Sequence, residues 1–198
     1  MCAYSVVAAS VSQLNTLIPS GGVYESVDLG LPSGTKWARF NIGATSETDY
    51  GDFFAWGATE PLIVGRDNTK NYSSSKASTI QHDLLPYEDA ATILWGSGWR
   101  MPTKAQFDEL IANTTNEWVN INNVNGRKFT ASNGNYIFIP AEGDIHNDAL
   151  TYIGVYGNYW SKSISTITQA YRLDFGENSL YVTKGDRNHG FSIRPVKA

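Results

Sequence analysis

Three histidines, His82, His146 and His189, and one cysteine, Cys2, are the side chains of this chain best suited to nucleophilic, acid–base or metal chemistry. Their spacing does not organise them. None of the histidines falls in an HExxH-like pair, so a metal centre would depend on tertiary convergence, and each reads as a surface or loop histidine. A lone Cys2 excludes an intramolecular disulfide and an all-cysteine metal site, and its stretch offers no obvious base to activate a thiol. A Gly-x-Ser-x-Gly elbow, a phosphate-cradling Gly-x-x-x-x-Gly-Lys loop and a dinucleotide fingerprint are all missing. The acidic stretch "AEGDIHNDAL" at 141–150 holds Glu142, Asp144, Asn147 and Asp148, oxygen ligands of the kind a hard cation takes. Its spacing matches no EF-hand loop, and a solvated loop is the alternative. No enzyme activity, metal or cofactor is expected.

The last thirty residues are more informative. "GDRNHG" at 185–190 is polar, and "FSIRPV" after it alternates Phe191, Ile193 and Pro195 with Ser192, Arg194 and Val196. That period of two predicts a terminal strand, with Phe191 and Ile193 in the core and Arg194 held by a buried carboxylate or carbonyl. In "AYRLDF", Tyr171, Leu173 and Phe175 share one face while Arg172 and Asp174 share the other. "SLYVT" likewise turns Leu180 and Val182 inward and leaves Ser179, Tyr181 and Thr183 outward. If these outward faces adjoin the 186–189 loop, one surface gathers an Arg, two Asp, an Asn, a His and a Tyr. Such a set combines an aromatic anchor with directional hydrogen bonds. A strand face is also polar simply because it meets water, and the sequence leaves both readings open.

Other elements must position these strands. "LLPYEDAATILWG" at 84–96 predicts a helix with Pro86 in its first turn, Glu88 and Asp89 near its positive end and Gly96 as its stop. "TKAQFDELIANT" at 103–114 predicts a second, capped by Thr103 with Gln106 completing a capping box and Phe107, Leu110 and Ile111 on its apolar face. Extended stretches flank a Pro32-Ser33-Gly34 turn, and "RKFTAS" and "NYIFIPA" form a hairpin around Asn133-Gly134-Asn135, with strands resuming after Trp118. Two helices packed on short, mostly antiparallel sheets make an α+β fold. Residues 1–22 read as an N-terminal extension, with Leu14, Leu17 and Ile18 before a Pro19-Ser20-Gly21-Gly22 breaker, through which the chain could oligomerise. Residues 23–198 read as one ligand-binding domain, with a long polar loop at 67–79.

Composition narrows the partners. A net charge of -4 over 198 residues, with no Lys/Arg cluster, argues against nucleic acid, which demands a concentrated positive field. No run approaches the roughly eighteen apolar residues of a direct membrane span. Six Trp, eleven Tyr and eight Phe beside eighteen Gly suit either an adaptable binding surface or an aromatic-filled β core.

Seven stretches in order, "VDLGLPSGTKWARFNIGA", "YGDFFAWG", "GSGWRMPTKAQFDELI", "NGRKFTASNGNYIFIPAEG", "GNYWSKS", "AYRLDF" and "GFSIRPV", resemble a bacterial domain abundant in Bacteroidetes and Fibrobacter surface proteins. That domain is related to the formylglycine-generating-enzyme branch of the C-type lectin fold. The branch includes the variable proteins of diversity-generating retroelements, in which adenine-directed mutagenesis diversifies a C-terminal stretch held on a lectin-like scaffold. The resemblance, over roughly 23–196, implies a C-type-lectin-like fold and a protein or glycan receptor as partner. It also implies display on a phage virion tail or a bacterial cell surface. The implied ligand-binding residues are Tyr159, Ser163, Arg172, Asp174, Asn178, Ser179, Tyr181, Asp186, Asn188 and His189. Adenine randomisation of an AAC codon cannot yield Lys, Glu, Gln, Met or Trp, which would leave Lys162, Gln169, Glu177 and Lys184 in the constant framework.

Departures limit what the resemblance implies. Cysteines that relatives often carry near the positions of Phe40, Thr92 and Thr114 are missing, so packing alone must hold the fold, and the cysteine-dependent sulfatase-activating chemistry is outside reach. Glu60-Pro61-Leu62 stands where calcium-dependent lectins carry Glu-Pro-Asn, and no Trp-Asn pair follows. The alternatives are a non-diversified structural or adhesive module of a cell-envelope protein, or an enzyme of the same branch.

Overall fold

The computed structural model describes residues 24–62, 79–147 and 149–197. The N-terminal extension with Cys2, the 67–79 loop up to residue 78, and Asp148 lie outside the described residues. Strand β1 (Ser26–Asp28) pairs with β2 (Lys36–Ala38) across the expected turn, where Gly34 N–H reaches Leu31 O at 2.9 Å and Gly34 takes a φ of 74°. There follow α1 (Ala90–Trp95), α2 (Lys104–Asn113), β3 (Thr114–Ile121), β4 (Val124–Ala131) and β5 (Tyr136–Pro140). The rest is strand: β6 (Asp144–His146), β7 (Ala149–Thr151), β8 (Gly157–Ile164), β9 (Gln169–Gly176), β10 (Ser179–Asp186) and β11 (Val196–Lys197). They form small sheets ordered β1-β2-β11, β10-β9-β8, β3-β4-β5 and β6-β7, every pair antiparallel. This is the α+β arrangement the strand and helix patterns predict.

Local chemistry sets the boundaries. Thr103 caps α2, its hydroxyl accepting from Gln106 N–H while the Gln106 side chain takes Thr103 N–H, so the capping box is present in full. Helix α1 is shorter than the pattern suggests. Asp89 is its N-cap, accepting from Ala91 N–H and Thr92 N–H, and this places Pro86 and Glu88 in a turn outside the helix. Strand β3 begins at Thr114, before the expected return to strand, and turns into β4 through Asn122 and Asn123 at φ 50° and 65°. Two consecutive left-handed residues match the right-handed twist of a tight hairpin, and asparagine tolerates them.

The β8-β9-β10 sheet is covered along one face and, over β8 and β9, on the other as well, while Tyr181 on β10 stays exposed. On one side Tyr159, Leu173 and Phe175 join Trp37, Phe107, Phe129 and Ile139; on the other Trp160 and Ala170 join Phe54, Trp56, Met101, Phe191 and Ile193. The terminal segment departs from the alternation expected of it, because all six residues of "FSIRPV" are buried. It is a rail rather than one strand. Phe191 exchanges backbone bonds with Phe54, Ser192 O receives Trp160 N–H, Ile193 O receives Ile42 N–H, Pro195 O receives Ala38 N–H, and Val196 pairs with Arg100. With neighbours on both sides, no face of it is left for water. Among the described residues no helix is long and apolar enough to cross a membrane.

Candidate functional site

Three buried guanidinium groups hold the backbone from which the exposed side chains project. Arg194 is fully buried and donates Nε–H to Asn41 Oδ1 at 2.7 Å, Nη1 to the carbonyls of Ala38 and Arg39, and Nη2 to Phe138 O at 3.0 Å. Burial lowers its pKa to about 10, so it stays charged at neutral pH. The carbonyl half of the expectation for Arg194 is met; the buried carboxylate, Glu142, acts on it only through space. Arg187, also at 0% exposure, gives Nη1 to Ile80 O at 2.6 Å, bonds Thr166 O through Nη2, and lies 4.3 Å from the Trp56 ring. Arg127 donates Nη2 to the carbonyls of Gly176, Glu177 and Ser179 and so fixes the β9–β10 turn. A guanidinium presents a planar fork of donors, which makes it suited to gathering several carbonyls at once.

On that framework β9 and β10 set Arg172 and Asp174 side by side at 2.6 Å, with Tyr181 opposite Asp174 and Thr183 opposite Arg172 in the register. Arg172 also lies over the Phe191 ring at 4.9 Å and donates Nε–H to Lys184 O at 3.3 Å. Its side chain and that of Asp174 are only 18% and 22% exposed, whereas Tyr181 is 60% exposed. The pair therefore forms a charged floor, and Tyr181 stands above it.

Sequence spacing did not reveal the convergence of two histidines beside this floor. The His146 ring stacks near Tyr152 at 5.9 Å and lies 5.7 Å from the His189 ring, which meets Phe191 edge-on at 5.8 Å. Asp144 Oδ1 orients His146 through Nδ1 at 3.0 Å and accepts from Thr151 Oγ1 at 2.7 Å. Burial lowers the pKa of His189, with Asp186 and Asp144 opposing and His146 and Arg172 reinforcing the shift. The segment after β7 adds exposed apolar surface: Tyr152, Ile153, Val155 and Tyr156 are all at least 40% exposed. Periodicity could not find them, since a loop has none; the run of apolar types in "TYIGVYG" was the available signal.

The ten expected ligand-binding residues separate into groups. Arg172, Asp174, Tyr181 and His189 come together as above, with Asp186 and Asn188 exposed at the loop. Asn178 and Ser179 sit at the opposite end of the β9–β10 hairpin, the full length of β10 away from Asp186. Tyr159 is corrected: it is fully buried opposite Leu173, donating to Pro140 O at 2.7 Å and accepting from Asn41 Nδ2 at 3.1 Å, because its position in β8 faces the first core. Ser163 is already engaged, its Oγ accepting the Lys104 N–H at the start of α2 at 3.1 Å. Within "DRNH" Arg187 belongs to the framework, and only its neighbours face outward. Tyr171, expected to point inward with Leu173, is partly exposed beneath Lys104.

The acidic stretch is not a cation cage among the described residues, where no group of three His, Cys, Asp or Glu is placed to hold a metal ion. Glu142 is fully buried and accepts Asn158 N–H at 2.8 Å, and burial raises its pKa well above the ordinary value. His82 makes its contacts elsewhere, with Asp83 O at 2.9 Å and Glu88 at 3.7 Å. Comparison of the chain with family models, with curated proteins and with solved structures gives no match in any of the three.

Proposed function

We propose that this protein is a non-enzymatic receptor-binding protein with a C-type-lectin-like fold, diversified at its C-terminal face by a retroelement and displayed on a phage tail or bacterial surface. The observation that carries this reading is the contrast along the last strands between pinned backbone and exposed, chemically mixed side chains. Arg127 and Arg187 tie down the turn at 176–179 and the loop at 186–189, while Tyr181, Asp186 and Asn188 are exposed between and beside them. Holding the backbone in place before the ligand arrives spares the ordering cost that weakens binding by mobile loops. Tyr152, Tyr156 and Tyr181 supply large amphipathic contact area with few rotatable bonds, as binding surfaces require.

Sequencing the genomic locus around the gene tests this reading. A reverse-transcriptase gene and a near-copy of the C-terminal coding stretch, differing from it only at adenines, are expected nearby. A locus with neither would turn the reading towards a non-diversified module of the cell envelope.

A further inference from the structure

A groove of about 530 Å³ opens between the β3–β4 hairpin, the 154–156 segment and the β9–β10 turn. Trp118 and Tyr156 line it with ring surface, and Asn125, Glu177, Asn178 and Ser179 with hydrogen-bonding groups. Its size falls in the ordinary range of small-ligand sites. Glu177 is the one charged residue of the lining, so phosphate and other anions are disfavoured. A wholly apolar ligand would strip water from two carboxamides and a carboxylate without replacing their hydrogen bonds. The chemistry that satisfies both kinds of wall is a ring with apolar C–H faces and a girdle of hydroxyls, each able to donate and accept.

The walls are held before any ligand arrives. Arg127, only 7% exposed, gathers Gly176 O, Glu177 O and Ser179 O from below through Nη2 at 2.5, 3.1 and 3.3 Å. Asn125 accepts from Asn120 Nδ2 at 2.7 Å and donates to Gly154 O at 2.9 Å, bracing the two loops that flank the groove. Tyr156 lies so close over Gly176 that a Cβ there would come within 3.0 Å of two of its ring atoms. Glycine at 176 thus lets the ring settle over the strand end.

We infer that this groove binds a neutral saccharide, without a metal ion, through stacking on Trp118 and Tyr156 and hydrogen bonds to Asn125, Glu177, Asn178 and Ser179. The inference rests on the reading of this face as a binding surface and deepens it. Trp118 and Asn125 precede the diversified stretch, and Glu177 is a residue type that adenine randomisation of an AAC codon does not produce. Asn178 and Ser179 are types it does produce. The constant side therefore sets the class of ligand, a pyranose, and the turn tunes which sugar or linkage is preferred.

Calorimetric titration of the full chain in EDTA tests this, with maltotriose, cellotriose, chitotriose and the methyl pyranosides of glucose, galactose, mannose and N-acetylglucosamine as probes. At least one is expected to bind saturably, and Tyr156→Ala and Asn178→Ala are each expected to weaken it by about tenfold at unchanged melting temperature. Asp108→Asn, on the exposed side of α2 and outside every proposed binding surface, is expected to leave the affinity alone. Failure of every probe to bind, or binding that survives the Tyr156→Ala/Asn178→Ala double variant, overturns the groove assignment. No saccharide binding from a chain whose locus does carry the adenine-directed template would remove the groove and leave the receptor-binding reading standing. Tyr156-dependent saccharide binding from a locus without a template would do the reverse.

Discussion

Arg194 carries a full charge with no exposed surface, a situation that costs several kcal/mol unless every donor finds an acceptor. Asn41, Ala38, Arg39 and Phe138 supply those acceptors from two separate parts of the chain. Replacing it with methionine strands those acceptors, and urea denaturation of Arg194→Met is expected to show a loss of about 3 kcal/mol or more. Glu142 behaves oppositely. Its folded pKa lies well above 4.5 because burial disfavours the anion, so it weakens the fold as pH rises from 4.5 through that raised value. Glu142→Gln keeps an acceptor for Asn158 N–H and removes this loss. The variant is expected to be more stable than the parent at pH 8 and no more stable at pH 4, by thermal melts at the two values. His189 is a base with a lowered folded pKa, so its contribution is intact above 6.5 and is lost as pH falls below it. His189→Gln is expected to flatten the melting temperature between pH 6.5 and 5, and an unchanged slope would contradict the burial of that imidazole.

At the scale of elements, the parts legible in sequence were those set by neighbours a few residues apart. Thr103 and Gln106 announced the start of α2, and Thr103→Ala should cost about 1 kcal/mol in urea denaturation, as loss of a capping side chain usually does. Pro32-Ser33-Gly34 and Asn133-Gly134 announced their turns for the same reason. The first half of β3 is not legible in sequence, because Thr114, Thr115, Asn116 and Glu117 show no apolar alternation; what makes them strand is pairing with β4. Helix α1 starts later than its sequence suggests because Pro86 and Asp89 both suit a helix N-terminus, and only the bonds from Ala91 and Thr92 decide for Asp89. Alternation in β9 identified Leu173 and Phe175 correctly but mistook the opposite face for open surface. A period of two separates two faces; it does not say that one of them is wet. Gly157 shows what such close layering demands: a Cβ there would lie 2.1 Å from the Phe175 ring, and Gly157→Ala is expected to lower the melting temperature sharply.

Across the whole molecule, two cores lie on either side of β8 and β9, and the rail at 191–196 bonds to β2, β8 and the segments at 42, 54 and 100. The candidate surface draws on pieces more than thirty residues apart, His146 with His189 and Tyr156 with Trp118, and no local pattern encodes such meetings. Of the expected site, the exposed hairpin and loop positions were legible because alternation and turn chemistry are local. Tyr159 and Arg187 were not, since their burial depends on what packs against them from elsewhere. The proposed function requires variation to be confined to side chains projecting from a held backbone. Deep sequencing of the gene across a population grown from one clone measures this directly. Substitutions are expected at the codon positions that read adenine in the near-copy, in the codons of Arg172, Asp174, Asn178, Ser179, Tyr181, Asp186, Asn188 and His189, with Tyr159, Trp160, Arg187, Ile193 and Arg194 spared. Substitutions spread evenly along the gene, or falling on Arg187 and Arg194 as often as on Asp186 and Asn188, would contradict it.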